Sequence, residues 1–276
     1  MALRGVDISE HNGSVDFAAL KNAVVAFVIL RLGYGSDYTN QDDKRFAENV
    51  RKAEAAGLPW GAYLYSYART TAMAKSEAQH ALRLLGDKKP LYGVWFDVED
   101  TQIAQTDLTA TCRTFCDTLE AAGLYAGIYA SLSWLTTKLS SAQLDRYDKW
   151  VAQWNSSCTY SKAYGIWQYT DKLVIGGKNF DGNYAYKDYP AIVQGMNQPE
   201  EEEEEETMLT YDQWKAYMER YQEEQANKAV SDWAQEAVDF VKAQGYMSGD
   251  TDGNFRPQSP ITRQEVAAVM QNALGE

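Results

Sequence analysis

Tyr92-Gly93-Val94-Trp95-Phe96-Asp97-Val98-Glu99-Asp100 reads as a buried strand that ends in acids. Strand residues alternate faces, so Asp97 and Glu99 point the same way, about 6.6 Å apart at about 3.3 Å per residue. Val94, Trp95, Phe96 and Val98 give the apolar density of a strand covered on both faces. Like charges that close resist joint ionisation, so one carboxyl should stay partly protonated near neutrality. A protonated acid beside an ionised one is the equipment of glycoside hydrolysis. The plainer alternative is that the two acids cap the following helix or pair with arginines. The rest of the chain weighs against it.

The elements that must position this pair alternate in type. Gly5-Val6-Asp7-Ile8-Ser9 is a short strand ending with an acid, and a short helix follows over Phe17 to Asn22. Val24 to Leu32 is a continuous apolar run, read as a second buried strand. Asn40 to Ala56 has helical spacing and stops at Gly57-Leu58-Pro59. Trp60 to Tyr67 is a third strand, with Tyr63, Tyr65 and Tyr67 on one face and Ala62, Leu64 and Ser66 on the other. Helices over Thr71 to Leu85 and Asp107 to Ala122 flank the acidic strand, and Tyr125 to Ala130 is the fifth strand. This alternation predicts an α/β fold with a parallel sheet. After a short helical piece over Ser133 to Leu139, the segments 149–154, 165–169 and 178–181 follow too closely for full helices between them. Three more strands joined by loops would close a barrel of about eight. In such barrels catalytic groups stand at the C-terminal strand ends. Asp7, Asp97, Glu99 and Asp181 all fall at or near such ends.

Composition narrows the function. The chain has 276 residues and a formal net charge of −13. Seven of those negatives are the run Glu200 to Glu206, which leaves −6 elsewhere. An acidic chain is a poor nucleic-acid binder, because phosphate contacts need clustered Lys and Arg. The 19 Tyr and 8 Trp suit stacking on sugar rings as well as core packing. Three cysteines, Cys112, Cys116 and Cys158, are no disulfide framework and fit a reducing cytoplasm. His11 and His80 match no metal-ligand spacing with them, so neither a metal nor another cofactor is expected. Met1-Ala2-Leu3-Arg4 runs straight into a strand without a signal peptide, and no stretch is long enough to insert in a membrane.

Gly5-Val6-Asp7-Ile8-Ser9, Gly61-Ala62-Tyr63-Leu64-Tyr65, Phe96-Asp97-Val98-Glu99, Trp150-Val151-Ala152-Gln153-Trp154, and Trp167-Gln168-Tyr169 followed by Asp181-Gly182-Asn183, resemble the glycoside hydrolase family 25 lysozymes, the Chalaropsis-type muramidases. The resemblance covers about Met1 to Tyr189, in order and spacing. It implies an irregular β/α barrel of eight strands and five helices. It also implies cleavage of the β-1,4 bond between N-acetylmuramic acid and N-acetylglucosamine in peptidoglycan. By position, Glu99 resembles the family's general acid, Asp97 its partner carboxylate, and Asp7 and Asp181 the flanking acids. Tyr63 and Tyr65 fall on cleft-lining tyrosines. Trp154, Gln168 and Tyr169 complete the expected substrate-binding set, with barrel filling the alternative for each of Tyr63, Tyr65, Trp154 and Tyr169, while Trp150 and Trp167 read as core.

Glu99 should then carry the raised pKa and protonate the leaving oxygen. Asp97 would either orient the substrate's 2-acetamido group as internal nucleophile or bear directly on the anomeric carbon. A rise of about 6.6 Å lies above the retaining separation of about 5–5.5 Å and only at the lower edge of the inverting range of about 6.5–9.5 Å, so spacing leaves the stereochemistry open. The acetamide carried by the substrate favours substrate assistance with net retention. Asp7 and Asp181 would hold the central pair in their charge states, capping or an ion pair being the alternative.

Asn197-Gln198-Pro199 and the glutamate run mark a boundary. The expected division is a catalytic barrel over 1–192, an acidic spacer over 193–207 and a small helical domain over 208–276. A like-charge run stays extended. Thr210 to Asn227 reads as a helix with a stripe of Tyr211, Trp214, Tyr217, Met218 and Tyr221, which must pack on the tail or on copies of itself. Ser231 to Ala243 is a second helix, ended by Gly245, and Thr262-x-x-Glu265 is a capping box that opens a last one. The loop acids from Asp250 are no EF-hand, because its sixth and twelfth positions are Phe255 and Ile261. Ala229 to Leu274 resembles one S-layer homology motif, through Gly253-Asn254-Phe255-Arg256-Pro257 and Ile261-Thr262-Arg263-Gln264-Glu265. The resemblance implies binding to a secondary cell-wall polymer through Arg263. Such motifs usually come in threes, and a single copy is marginal as a core. Homo-oligomers through the C-terminal region would restore core and grip together.

The expected function is a wall-degrading muramidase, made in the bacterial host cytoplasm and acting on the wall after release, as a phage endolysin does. A non-catalytic wall-binding protein is the alternative, and the intact Asp97/Glu99 pair argues against it. A chitinase-type enzyme ranks last, because its strand would need acids where Tyr92 and Trp95 stand.

Overall fold

The computed structural model describes residues 2–197, 210–250 and 253–275. The run Glu200 to Glu206, most of the expected spacer, and Thr251 and Asp252 lie outside the described residues. The chain divides into two compact units, Met1–Pro199 and Glu200–Glu276.

The first unit is a closed barrel of eight strands in sequence order. Its elements are β1 (Leu3–Ile8), α1 (Phe17–Asn22), β2 (Phe27–Tyr34), α2 (Phe46–Ala56), β3 (Trp60–Tyr65), α3 (Thr71–Leu85), β4 (Val94–Asp97) and α4 (Leu108–Ala121). There follow β5 (Ala126–Ser131), α5 (Leu132–Thr137), β6 (Asp148–Ala152), β7 (Ile166–Ile175), β8 (Lys178–Ala185) and α6 (Tyr189–Asn197). Strands β1 to β7 pair in parallel, and β8 closes the ring antiparallel to both β7 and β1.

Alternation sorts side chains into two cores. Outward residues such as Val6, Ile8, Ala62, Leu64, Val94, Phe96 and Ile128 pack under the helices. Phe96, for example, stacks on Phe115 of α4 at 4.0 Å. Inward residues Phe27, Ile29, Tyr92, Trp95, Tyr129, Trp150 and Ile166 fill the barrel. Aromatics this large fit because glycines face them. A Cβ on Gly127 would come within 2.4 Å of the Trp95 ring, and one on Gly5 within 2.3 Å of Phe27.

Two expectations need correction. The helix expected from Asn40 begins only at Phe46. Asp43 is drawn out of it: its Oδ2 accepts from Arg31 Nε and the Glu10 N–H, both at 2.8 Å, and its Oδ1 accepts from the Arg45 N–H. The barrel unit also has six α-helices among the described residues rather than five, and a boundary at residue 192 would cut α6. Tyr189 roots α6 in the barrel floor. Its hydroxyl donates to Asp148 Oδ2 at 2.6 Å, and its ring packs on Tyr92, Trp95 and Tyr125.

The second unit contains α7 (Tyr211–Ala226), α8 (Gln235–Ala243) and α9 (Arg263–Leu274). Capping boxes open α7 at Thr210 and α9 at Thr262. Asp232–Ala234 forms a 3-10 turn before α8, so the helix expected from Ser231 starts later. Among the described residues, no helix is long and apolar enough to cross a membrane.

Candidate active site

The barrel mouth at the C-terminal ends of the parallel strands holds a cleft of about 390 Å³. Asp7 is the penultimate residue of β1 and pairs in register with Asp181 of β8. Asp97 ends β4, between Tyr65 of β3 and Tyr129 of β5. Glu99 stands two residues beyond β4, yet it keeps the strand's alternation: Asp97 and Glu99 line the cleft, while Val98 packs in the outer core. Tyr63, Tyr65 and Gln168 line it too.

Trp154 and Tyr169 are not among the lining residues. Strand β6 ends at Ala152, so Trp154 lies in the following loop, 61% exposed, with Nε1 donating to Gln168 Oε1 at 3.1 Å. Tyr169 has the opposite parity to Gln168, and its ring stacks on Tyr184 at 4.6 Å. Trp167 is buried as expected. Trp150 is buried and also borders the cleft.

Asp7 and Asp181 belong to one hydrogen-bond network, and Asp97 and Glu99 are coupled to them by charge. Asp7 Oδ2 accepts from Asn183 Nδ2 at 2.8 Å and from Gln168 Nε2 at 3.0 Å. Asn183 is held in turn by Trp150 Nε1 at 2.8 Å, and Gln168 by the Tyr129 hydroxyl at 3.1 Å. The Asp7 and Asp181 side chains share a hydrogen bond. Burial pushes Asp7 well above the usual carboxylate range, and the charge of Asp181 adds to it. Their shared hydrogen bond adds to the rise of Asp7 and opposes that of Asp181. Asp181 is itself raised by burial.

Burial also pushes Asp97 well up, reinforced by the charges of Glu99 and Asp7 and opposed by Arg31. Its Oδ1 is buried and accepts no hydrogen bond among the described residues. A buried acceptor left so is costly, about 1–3 kcal/mol, unless a donor arrives. Glu99 is half-buried, and its carboxyl is raised by burial first, then by the charges of Asp181 and Asp100. Tyr63 and Tyr129 are held protonated by burial and by the surrounding acids. The site thus favours the protonated forms of its acids and presents hydroxyl, amide and carboxyl groups to a polar ligand. Among the described residues, no group of three or more His, Cys, Asp or Glu is arranged to hold a metal ion.

The cleft also contains Arg31, Tyr129 and, one layer behind, Asn183, which the motif reading did not single out. Arg31 donates to Asp43 at 2.8 Å and to Glu10 at 3.1 Å, so its charge is fixed beside Asp97 rather than free to swing. The signal for Tyr129 was parity: Gly127 and Tyr129 alternate with the apolar Ala126, Ile128 and Ala130.

In the C-terminal unit, Asp250 Oδ1 accepts from the Asn254 N–H at 2.9 Å, and Arg256 pairs with Asp250. This loop and α9 border a cavity of about 320 Å³. Arg263 stands exposed at the first position of α9, outside that lining.

Comparison with known proteins falls along the same division. The family described as "Glycosyl hydrolases family 25" matches residues 6–178. The "S-layer homology domain" matches residues 228–267. The autolytic lysozyme of Clostridium acetobutylicum is 29% identical over 177 residues, 63% of this chain. The chain spans 52% of that lysozyme's length. The modular autolysin LytC from Streptococcus pneumoniae, solved with a synthetic peptidoglycan ligand, superposes with a TM-score of 0.59 at 27% identity. That match covers 67% of this chain and 47% of LytC. In the tail, cell surface glycoprotein 1 of Acetivibrio thermocellus is 44% identical over 45 residues, 16% of this chain and 2% of that protein.

Proposed function

The chain belongs to the glycosyl hydrolases family 25, and from that premise we propose that its barrel hydrolyses the β-1,4 bond between N-acetylmuramic acid and N-acetylglucosamine in peptidoglycan. One observation carries the reading. A raised Glu99 carboxyl and a buried Asp97 oxygen without a donor meet in one polar cleft. The lysozyme relative and the peptidoglycan-bound autolysin support the substrate class.

In this reading Glu99 donates its proton to the glycosidic oxygen as the C1–O bond breaks. The substrate's acetamido oxygen attacks C1 from the opposite face and forms a cyclic cation. Asp97 Oδ1 accepts the acetamido N–H, which is the donor that this buried atom lacks. Positive charge on the intermediate favours the ionised form of Asp97, against the burial that raises its carboxyl. Water then opens the ring at C1, giving a proton to the Glu99 carboxylate, and configuration is retained. Gln168 and Asn183 fix Asp7, and Asp7 bonds Asp181, so the acids flanking the pair do not swing into it.

The test is a digest of purified Gram-positive peptidoglycan, borohydride reduction, and mass spectrometry of the sugar ends. Muramitol at new reducing ends is expected. Glucosaminitol would move the cleaved bond. No new ends, with the protein still pelleting on walls, would leave a binding protein.

The tail has a separate role in this reading. Its S-layer homology match supports retention on a secondary cell-wall polymer, with Arg263 a contact, and several copies of the single motif associating to do so.

A further inference from the structure

A second cavity, of about 500 Å³, opens at the barrel mouth among the loops that follow β3 and β4. Its lining is Tyr67, Arg69, Met73, Gln102 and Ile103. The catalytic cleft is its neighbour: Tyr65 lines the cleft, and its ring meets the Tyr67 ring edge-on at 5.3 Å. Tyr65 also donates to Asp100 Oδ2 at 3.3 Å, two residues before Gln102, so the same two loops build both cavities.

Arg69 is the unusual member. Its Nη2 donates to Gln102 Oε1 at 3.0 Å, a neutral partner across 33 residues, and among the described residues it has no carboxylate partner. Arg31, Arg45, Arg83 and Arg146 of the same barrel are each paired with acids, whereas Arg69, like Arg4, Arg51 and Arg113, has no carboxylate partner among the described residues, and of these four it alone lines this cavity. A guanidinium that is positioned but not neutralised keeps part of its planar fork for an external anion, and that fork matches a carboxylate. Tyr67 lines the same cavity, and Met73 and Ile103 offer apolar wall.

We propose that Arg69 and Tyr67 form an outlying subsite that takes a carboxylate-bearing peptide arm of the glycan lying in the catalytic cleft. This rests on the barrel's reading as a peptidoglycan hydrolase. The two cavities adjoin through the Tyr65–Tyr67 contact, so an arm attached to the bound glycan starts beside the subsite. Free wall phosphates have no such tether.

The experiment compares Arg69→Gln with the natural chain on two substrates: soluble glycan fragments carrying peptide stems, and the same fragments stripped of peptide by an amidase. Loss of a charge-assisted contact made equally before and in the transition state raises KM by about 10-fold with kcat unchanged. That rise is expected on the peptide-bearing fragments alone, with partial recovery in Arg69→Lys. Arg113→Ala is the control, since Arg113 of α4 bonds neutral Gln143 of the 3-10 turn Ala142–Leu144 and lines neither cavity. Equal effects on both substrates, or none, overturn the subsite. Binding of both fragments is measured in parallel by calorimetry in a Glu99→Gln background. If the natural chain cuts neither substrate but still prefers the peptide-bearing one through Arg69, the hydrolase reading fails and the peptide contact survives. If binding shows no such preference, the subsite fails whatever the turnover.

Discussion

Glu99 owes its raised carboxyl first to burial and next to the charge of Asp181 across the cleft. Removing a negative neighbour lowers an acid's pKa, so Asp181→Asn should move the alkaline limb of the kcat/KM profile to lower pH. A limb that stays in place would separate Asp181 from Glu99. Glu99→Gln keeps the shape and removes the proton, so turnover should fall by at least about 100-fold while sedimentation with walls is unchanged. Substantial residual lysis would take the acid role from Glu99. These acids could be read from the sequence because a polar residue ending an apolar strand breaks a pattern. Tyr129 carries only the weaker signal of strand parity, since an aromatic residue in a strand is ordinary core. Arg31 sits in an apolar run, and only the fold shows Asp43 and Glu10 holding it. Tyr169 was misplaced by one residue of parity: Gln168 turns into the barrel, so its neighbour must turn out.

Elements were legible where one periodicity ruled. The eight strands and the helices over Phe17–Asn22 and Thr71–Leu85 follow from alternation and caps. The start of α2 did not, because Asp43 bonds to a distant strand. The end of the barrel did not either, because α6 is defined by Tyr189 reaching Asp148. Helix α3 shows how an element serves the site. Glu77 is fully buried, and its oxygens accept from Ser66 Oγ at 2.7 Å and from the Tyr67 N–H at 2.8 Å. The Ser66 N–H in turn donates to the Asp97 carbonyl at 2.9 Å, so α3 anchors β3 where the acids emerge. Burial raises Glu77 from 4.5 to about 7, against those two hydrogen bonds. A raised acid favours folding most below its unfolded pKa, and that contribution is lost as pH rises through the folded value. A shift of this size corresponds to about 3 kcal/mol, lost from about pH 4.5 to above pH 7. Glutamine can keep both contacts without ionising. Urea midpoints of Glu77→Gln should therefore match the natural chain near pH 4.5 and exceed it at pH 8. A difference that does not change with pH would mean that Glu77 stays ionised in the fold.

At the scale of the whole molecule, the two units differ in how they bury apolar surface. The barrel has two cores of its own. In the C-terminal unit, Ala226 is the single buried residue among those described. Tyr211, Trp214, Tyr217 and Tyr221 of α7 are all about half exposed or more, and Trp233 and Leu274 reach 88% and 74%. A unit this small with so little core is marginal as a monomer, and a second copy offers the same apolar faces in return. Association would also multiply a weak wall contact, since a linked second contact forms at high effective concentration. Ending the chain at Asn197 should therefore separate two properties. The barrel should keep its rate on soluble glycan fragments, because the cleft lies wholly within the first unit. It should lose retention on intact walls and sediment at single-chain mass, while the full chain gives a multiple of that mass by light scattering. Equal single-chain masses for both would end the case for association, and any wall retention by the tail would then have to come from one motif. Lost activity on soluble fragments would mean instead that the tail completes the barrel's fold, which its closed ring and rooted α6 argue against.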